Sequence, residues 1–199
     1  MRFLLVTISV LIYLGASAQN WTLEALQTEI YQYESLEEAL NAPRDSVFSL
    51  KLKKRLKKIP MEVFTEFPNL QLLDLSRNRI REVPPEIGML KKLKKLILER
   101  NKIEALPAEI GELEDLRELI INRNELTTLP TEIGNLKKLR YIDMWSNNIT
   151  GLPRSMEEMY ALQEVDLRVI VFTEQEQASI KAVLQNVKLH MDEHCNCGN

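Results

Sequence analysis

The sequence predicts an α/β fold: a right-handed solenoid forming a short horseshoe, with a parallel concave β-sheet and helical caps at both ends. Three observations predict it. One pattern recurs four times at a step of 23 residues, each copy holds one short strand, and both flanks carry helix-start signals in place of a further copy.

Leu70, Leu73, Leu75, Asn78, Ile80, Val83, Pro84, Ile87 and Leu90 recur as Leu93, Leu96, Leu98, Asn101, Ile103, Leu106, Pro107, Ile110 and Leu113. A third copy runs Leu116, Leu119, Ile121, Asn124, Leu126, Leu129, Pro130, Ile133, Leu136. The fourth runs Leu139, Ile142, Met144, Asn147, Ile149, Leu152, Pro153, Met156, Met159. This pattern resembles the leucine-rich repeat family, in the variety whose consensus reads LxxLxLxxNxLxxLPxxIGxL, and with the leader described below it resembles secreted bacterial members. The resemblance covers 47–168 closely. It implies a non-enzymatic protein-protein interaction module that binds a partner on the concave face of the repeat sheet.

The elements follow in order. Arg2, the apolar run Phe3 to Leu14 and the small-residue site Ala16-Ser17-Ala18 read as a signal peptide over 1–18, which implies a secreted or periplasmic/extracellular protein with no transmembrane span after cleavage. Over 19–46, an N-terminal helical cap is expected from Leu23, Leu26 and Ile30 and from the capping box Ser35-Leu36-Glu37-Glu38. Leu36 and Leu40 are placed to cover the first strand. Repeats span 47–168: one degenerate, four regular, one partial. The degenerate copy is Val47, Leu50, Leu52, Leu56, Ile59, Pro60, Phe64 and Phe67, with one residue deleted after its strand and one inserted after its Pro. Ile170 stands where the ladder Asn belongs, ending the array. A helix-strand cap is expected over 169–192, from the capping box at Thr173 to Glu176, the stripe Ile180, Val183, Leu184, Val187, and the alternation Val187, Leu189, Met191. The remaining 193–199 form a Cys-containing tail.

Within each repeat the second and third Leu of LxxLxL lie two apart and face the core, so the residues between them face the concave side. The Asn column reads as a structural ladder satisfying backbone groups where each strand ends. The Pro and Gly positions suit an irregular return path on the convex side. Function is written in what varies. One outward column is Leu72, Lys95, Glu118, Tyr141, Glu164; a second is Asp74, Ile97, Ile120, Asp143, Asp166; a third is Ser76, Glu99, Asn122, Trp145, Arg168; a fourth is Arg77, Arg100, Arg123, Ser146. The expected partner-binding set is Leu72, Arg77, Lys95, Ile97, Arg100, Glu118, Ile120, Arg123, Tyr141, Asp143 and Trp145, because aromatic and aliphatic residues on neighbouring strands have hot-spot composition. The Arg column either receives an acidic partner or interleaves with Glu99, Asp74 and Glu118 as an internal lattice.

Composition narrows the function classes. With 45% hydrophobic and 28% charged residues the chain is ordinary globular protein. Removing 1–18 takes away Arg2 alone, leaving 25 basic against 29 acidic residues, a net charge of −4 that argues against nucleic acid. Acidic Glu24, Glu29, Glu34, Glu37 and Glu38 precede the basic run Lys51, Lys53, Lys54, Arg55, Lys57, Lys58. That run is either a solvated edge or, as an alternative function, an envelope-associated site for glycan or an anionic surface over 51–58. No GxxxxGK[ST], HExxH or GxSxG occurs, no His lies among the repeats, and no enzyme or cofactor is expected. The tail offers a disulfide between Cys195 and Cys197, or less simply a metal set of His190, His194, Cys195 and Cys197.

Overall fold

The computed structural model describes residues 30–53 and 55–192. Signal-peptide and tail expectations on 1–18 and 193–199, and the stretch Leu23 to Glu29, lie outside the described residues.

One short strand per repeat is what the LxxLxL spacing yields. Among the described residues the strands are β1 (Gln32–Tyr33), β2 (Ser49–Lys51), β3 (Leu72–Asp74), β4 (Lys95–Ile97), β5 (Glu118–Ile120), β6 (Tyr141–Asp143), β7 (Glu164–Asp166) and β8 (Lys188–His190). They form one parallel sheet in sequence order. From β2 to β7 the pairing steps by 23 residues, so Leu73, Leu96, Leu119, Ile142 and Val165 stack with no solvent exposure. They head one continuous core that runs from Ala39 to Leu184.

The Asn ladder closes each repeat onto the one before it. Asn101 Nδ2 donates to the carbonyls of Leu75 (3.0 Å) and Leu98 (2.9 Å), while its Oδ1 accepts from the Ile80 N–H (3.1 Å). Asn78, Asn124 and Asn147 repeat this geometry, and the Leu56 N–H reaches Asn78 Oδ1 at 2.9 Å. Leu56 thus fills the place of Ile80 despite the deleted residue upstream. Just before each ladder position the backbone is left-handed, with φ of 53–59° at Arg55, Arg77, Arg100, Arg123, Ser146 and Val169.

The return path is more regular than expected. Each regular repeat returns through a 3-10 helix: Pro85–Met89, Ala108–Glu112, Thr131–Asn135 and Arg154–Glu158. Stacked α-helices need about 10 Å each against about 4.8 Å per strand, and the slimmer 3-10 turn lessens that mismatch. Gly111 lets adjacent turns touch, since a Cβ there would sit 2.3 Å from the Glu132 carbonyl oxygen. The residue inserted after Pro60 widens the first return into a single α-turn, α2 (Glu62–Thr65), which buries Val63 and Phe64.

At the N-terminal end, α1 (Leu36–Leu40) starts on Ser35, whose Oγ accepts from the Glu38 N–H at 3.1 Å. The box is not reciprocal: Glu38 accepts from the Glu34 N–H, one residue early. Ala39 is the buried residue of α1, Leu36 packs against the core edge, and Leu40 is 41% exposed rather than covering the first strand. An extended pair, β1, adds to the sheet ahead of this helix, where only helix was expected. At the other end, Thr173 and Glu176 do form a reciprocal box at the start of α3 (Glu174–Val183). Ile180 and Leu184 are buried, and Leu189 on β8 packs along the core with Val187 and Met191 on either side of the strand.

Candidate functional site: the concave face

Register builds the face. Side chains next to the core positions stack into one column of Ser49, Leu72, Lys95, Glu118, Tyr141, Glu164, Lys188 and another of Lys51, Asp74, Ile97, Ile120, Asp143, Asp166, His190. Residues beyond the strand ends add Glu99, Asn122, Trp145 and Arg168, then the left-handed positions Arg77, Arg100, Arg123 and Ser146.

The expected site residues do not all offer surface. Leu72 shares the face by register but is 4% exposed, so it contributes packing and little contact area. Lys95, Ile97, Glu118, Ile120, Tyr141, Asp143, Arg123 and Trp145 are half-buried, and Arg77 and Arg100 are exposed. Asp74, Ser76, Asn122 and Asp166 are buried although the alternation marks them as outward. Two of them serve the backbone: Asp74 Oδ1 accepts from the Ser76 N–H (2.9 Å) and Asp166 Oδ1 from the Arg168 N–H (3.1 Å), closing the strand ends.

Charges pair along the columns. Lys51 lies 3.5 Å from Asp74, Lys95 lies 2.5 Å from Glu118, and Arg168 grips Asp166 through two nitrogens. Glu164 is held by Lys188 (3.3 Å) and by His190 Nε2 (2.6 Å), and these hydrogen bonds draw its carboxyl below the usual range. His190, one of the residues in the less simple metal alternative, lies in β8, the closing strand expected from Val187, Leu189 and Met191; His194, Cys195 and Cys197 lie outside the described residues.

Of the internal lattice, one of the two readings of the Arg column, only the Arg100–Glu99 pair forms among the described residues. Arg100 Nε approaches Glu99 at 3.3 Å, whereas Asp74 and Glu118 are taken by lysines. Arg123 instead lies over the Trp145 ring, 4.4 Å from its centroid, an attraction worth about 0.5–1 kcal/mol at such partly exposed sites. Sequence spacing gave no signal for this pair, since Arg123 and Trp145 belong to different repeats and different columns.

Asp143 departs from its column. Its Oδ2 accepts from Asn122 Nδ2 at 2.6 Å, but Oδ1 is buried without a hydrogen-bond partner, and so is Asn122 Oδ1. Burial pushes the Asp143 carboxyl up to about 6; the Asn122 amide and the Trp145 backbone N–H oppose this, and the nearby Asp166 and Glu99 carboxylates add to it. Tyr141, beside it, is raised to about 12, again chiefly by burial and then by Asp143. The basic run is split: Lys51 points into the concave face, while Lys53, Arg55, Lys57 and Lys58 are exposed.

The family profile described as a leucine-rich repeat region matches residues 46–190. The chain belongs to the leucine-rich repeat family. No curated protein sequence matches it significantly. Among solved structures, a leucine-rich repeat protein of Leptospira interrogans is similar at 30% identity and a TM-score of 0.58, covering 71% of this chain and 43% of that one. Internalin C2 of Listeria monocytogenes is similar in fold at 23% identity and a TM-score of 0.64, covering 81% of this chain and 67% of its own. Another internalin of that organism aligns at 15% identity and a TM-score of 0.59, covering 80% and 46%. This repeat protein therefore spans less than half of the Leptospira chain. Leucine-rich repeat folds commonly serve as protein-protein interaction modules, and members of the family are typically non-enzymatic. No helix among the described residues is long and apolar enough to cross a membrane.

Proposed function

We propose that this leucine-rich repeat protein is a non-enzymatic recognition module, exported from a bacterial cell, that binds a protein partner along its concave face. The observation that carries the reading is the grouping of Tyr141, Ile97, Ile120 and the Arg123–Trp145 stack on neighbouring strands, half-buried and facing one side. Large rigid aromatics next to an Arg are the usual anchors of a protein interface, and paired charges such as Lys95–Glu118 supply a polar rim. Export follows the leader read from 1–18 and agrees with the bacterial origin of the structural neighbours. An envelope or glycan contact through 51–58 draws only on the exposed Lys53, Arg55, Lys57 and Lys58.

Replacing Trp145, Tyr141 and Arg123 together with Ala is expected to abolish partner capture from the extracellular or envelope fraction while leaving the thermal midpoint nearly unchanged. Undiminished pull-down by the triple variant overturns the concave-face reading.

A further inference from the structure

The carboxylates of the concave face are almost all neutralised within the chain. Asp74 has Lys51, Glu99 has Arg100, Glu118 has Lys95, Glu164 has Lys188 and His190, and Asp166 has Arg168. Asp143 is the exception: among the described residues no cation lies within ion-pair distance of it. Beside it Asn122, only 4% exposed, turns its amide nitrogen to Asp143 Oδ2 and leaves its own oxygen without a donor. Asn122 Oδ1 and Asp143 Oδ1 are thus buried without a well-formed hydrogen bond, although the Trp145 backbone N–H lies close enough to the Asp143 carboxyl to favour its charged form. A buried acceptor left unmade destabilises a fold, so an oxygen without a donor here is kept at a cost. A swap of the Asn122 amide does not relieve this, because its nitrogen would then lose Asp143 Oδ2.

We propose that Asn122 and Asp143 form the seat for a basic side chain of the bound partner, with an arginine the better fit. A guanidinium has donors spread in one plane and can serve two acceptors on two residues at once, whereas carbonyl-rich or acidic groups find no donor here. Tyr141 on the same strand and Trp145 two residues beyond flank the seat, so the aliphatic stem of an arginine has apolar surface to cover. The groups facing Asp143 are Asp166 on β7 and Arg168 just beyond it, Glu99 and Asn122 from the β4 and β5 repeats, and Tyr141 beside it on β6. Since Arg168 is committed to Asp166, the local balance favours a cation.

This inference rests on the concave-face reading, and one experiment separates the two. Phage-displayed short random linear peptides are panned on the full chain near pH 7.5, and synthetic versions of the winners are measured against wild type, Trp145→Ala and Asp143→Asn. Peptides that need Trp145 are expected to carry an Arg or Lys. Replacing that Arg with the neutral isostere citrulline, and making Asp143→Asn, should each lower affinity about tenfold or more, with little further loss when combined. Affinity for wild type should also fall between pH 7.5 and pH 5, and stay flat for Asp143→Asn. Winners that need Trp145 but are indifferent to citrulline and to Asp143→Asn overturn the seat and leave the concave face standing. If no winner depends on Trp145, both readings fall.

Discussion

Arg77, Arg100, Arg123, Ser146 and Val169 share a left-handed backbone because each must turn the chain so that the next side chain enters the core column. The amides of the first four still complete the sheet ladder, Arg77 N–H donating to the Glu99 carbonyl at 2.8 Å and Arg123 N–H to that of Trp145 at 3.0 Å, whereas Val169 N–H donates to Asp192 Oδ2 at 2.6 Å. An L-residue pays about 1–2 kcal/mol for this conformation, and a β-branched one is the worst placed. Val169 is 62% exposed, so nothing in its packing offsets the strain. Val169→Asn is therefore expected to raise stability by about 1 kcal/mol, and Arg77→Asn by about half as much, read as a shift in urea midpoint at constant slope. No gain at Val169 would show that the strain is relieved elsewhere. Spacing reveals the arginine column and leaves it open between an acidic partner and an internal lattice; it does not show that Arg100 meets Glu99 while Arg123 lies over Trp145.

Between elements, stability lies in what joins one repeat to the next. Removing the amide in Asn101→Ala orphans the buried Ile80 N–H, while the Leu75 and Leu98 carbonyls keep Asn78 Nδ2 and Asn124 Nδ2 as donors. At about 1–3 kcal/mol for one orphaned buried group, a loss of about 2 kcal/mol is expected in chemical denaturation. Gly111→Ala tests the convex side in the same assay. Its Cβ meets backbone rather than a flexible chain, so a loss of about 2 kcal/mol is expected, against almost none for Gly151→Ala, where nothing lies within 4 Å. The ladder, the strands and the first degenerate copy were legible in the sequence because each obeys a fixed offset. The 3-10 returns were not, since Pro and Gly mark a break in sheet geometry without saying which helix follows. β1 was hidden by its brevity and by capping signals that pointed to helix.

For the molecule as a whole, the concave face is held slightly against its own folding. The Asp143 carboxyl is raised from 3.8 to about 6, mainly by burial, so the folded state holds this proton more tightly than the unfolded chain. The sign follows: its contribution is fully present below pH 4, is lost as pH rises toward 6, and is absent above that. Asp143→Asn is expected to be more stable than wild type at pH 7 and indistinguishable at pH 4, in urea titrations across that range. A difference independent of pH would show that the carboxyl is not strained in the fold. Asp143 is in the set expected from the sequence, but its want of a cation was not legible there, since Asp74 and Asp166 share its column; the neighbours Ser76, Asn122 and Arg168 distinguish the three.

The register from β2 to β7 advances by an identical count at every step, and each repeat touches its neighbours through the same bonds. Such a chain has discrete translational symmetry, like a ruler whose graduations are interchangeable. Duplication of one whole 23-residue unit lengthens the face by one strand and leaves every other contact intact, whereas gain or loss of a single residue inside a strand turns its core side chains outward. Growth in such a lineage is therefore quantised, and the face can acquire new recognition positions without disturbing those it already has.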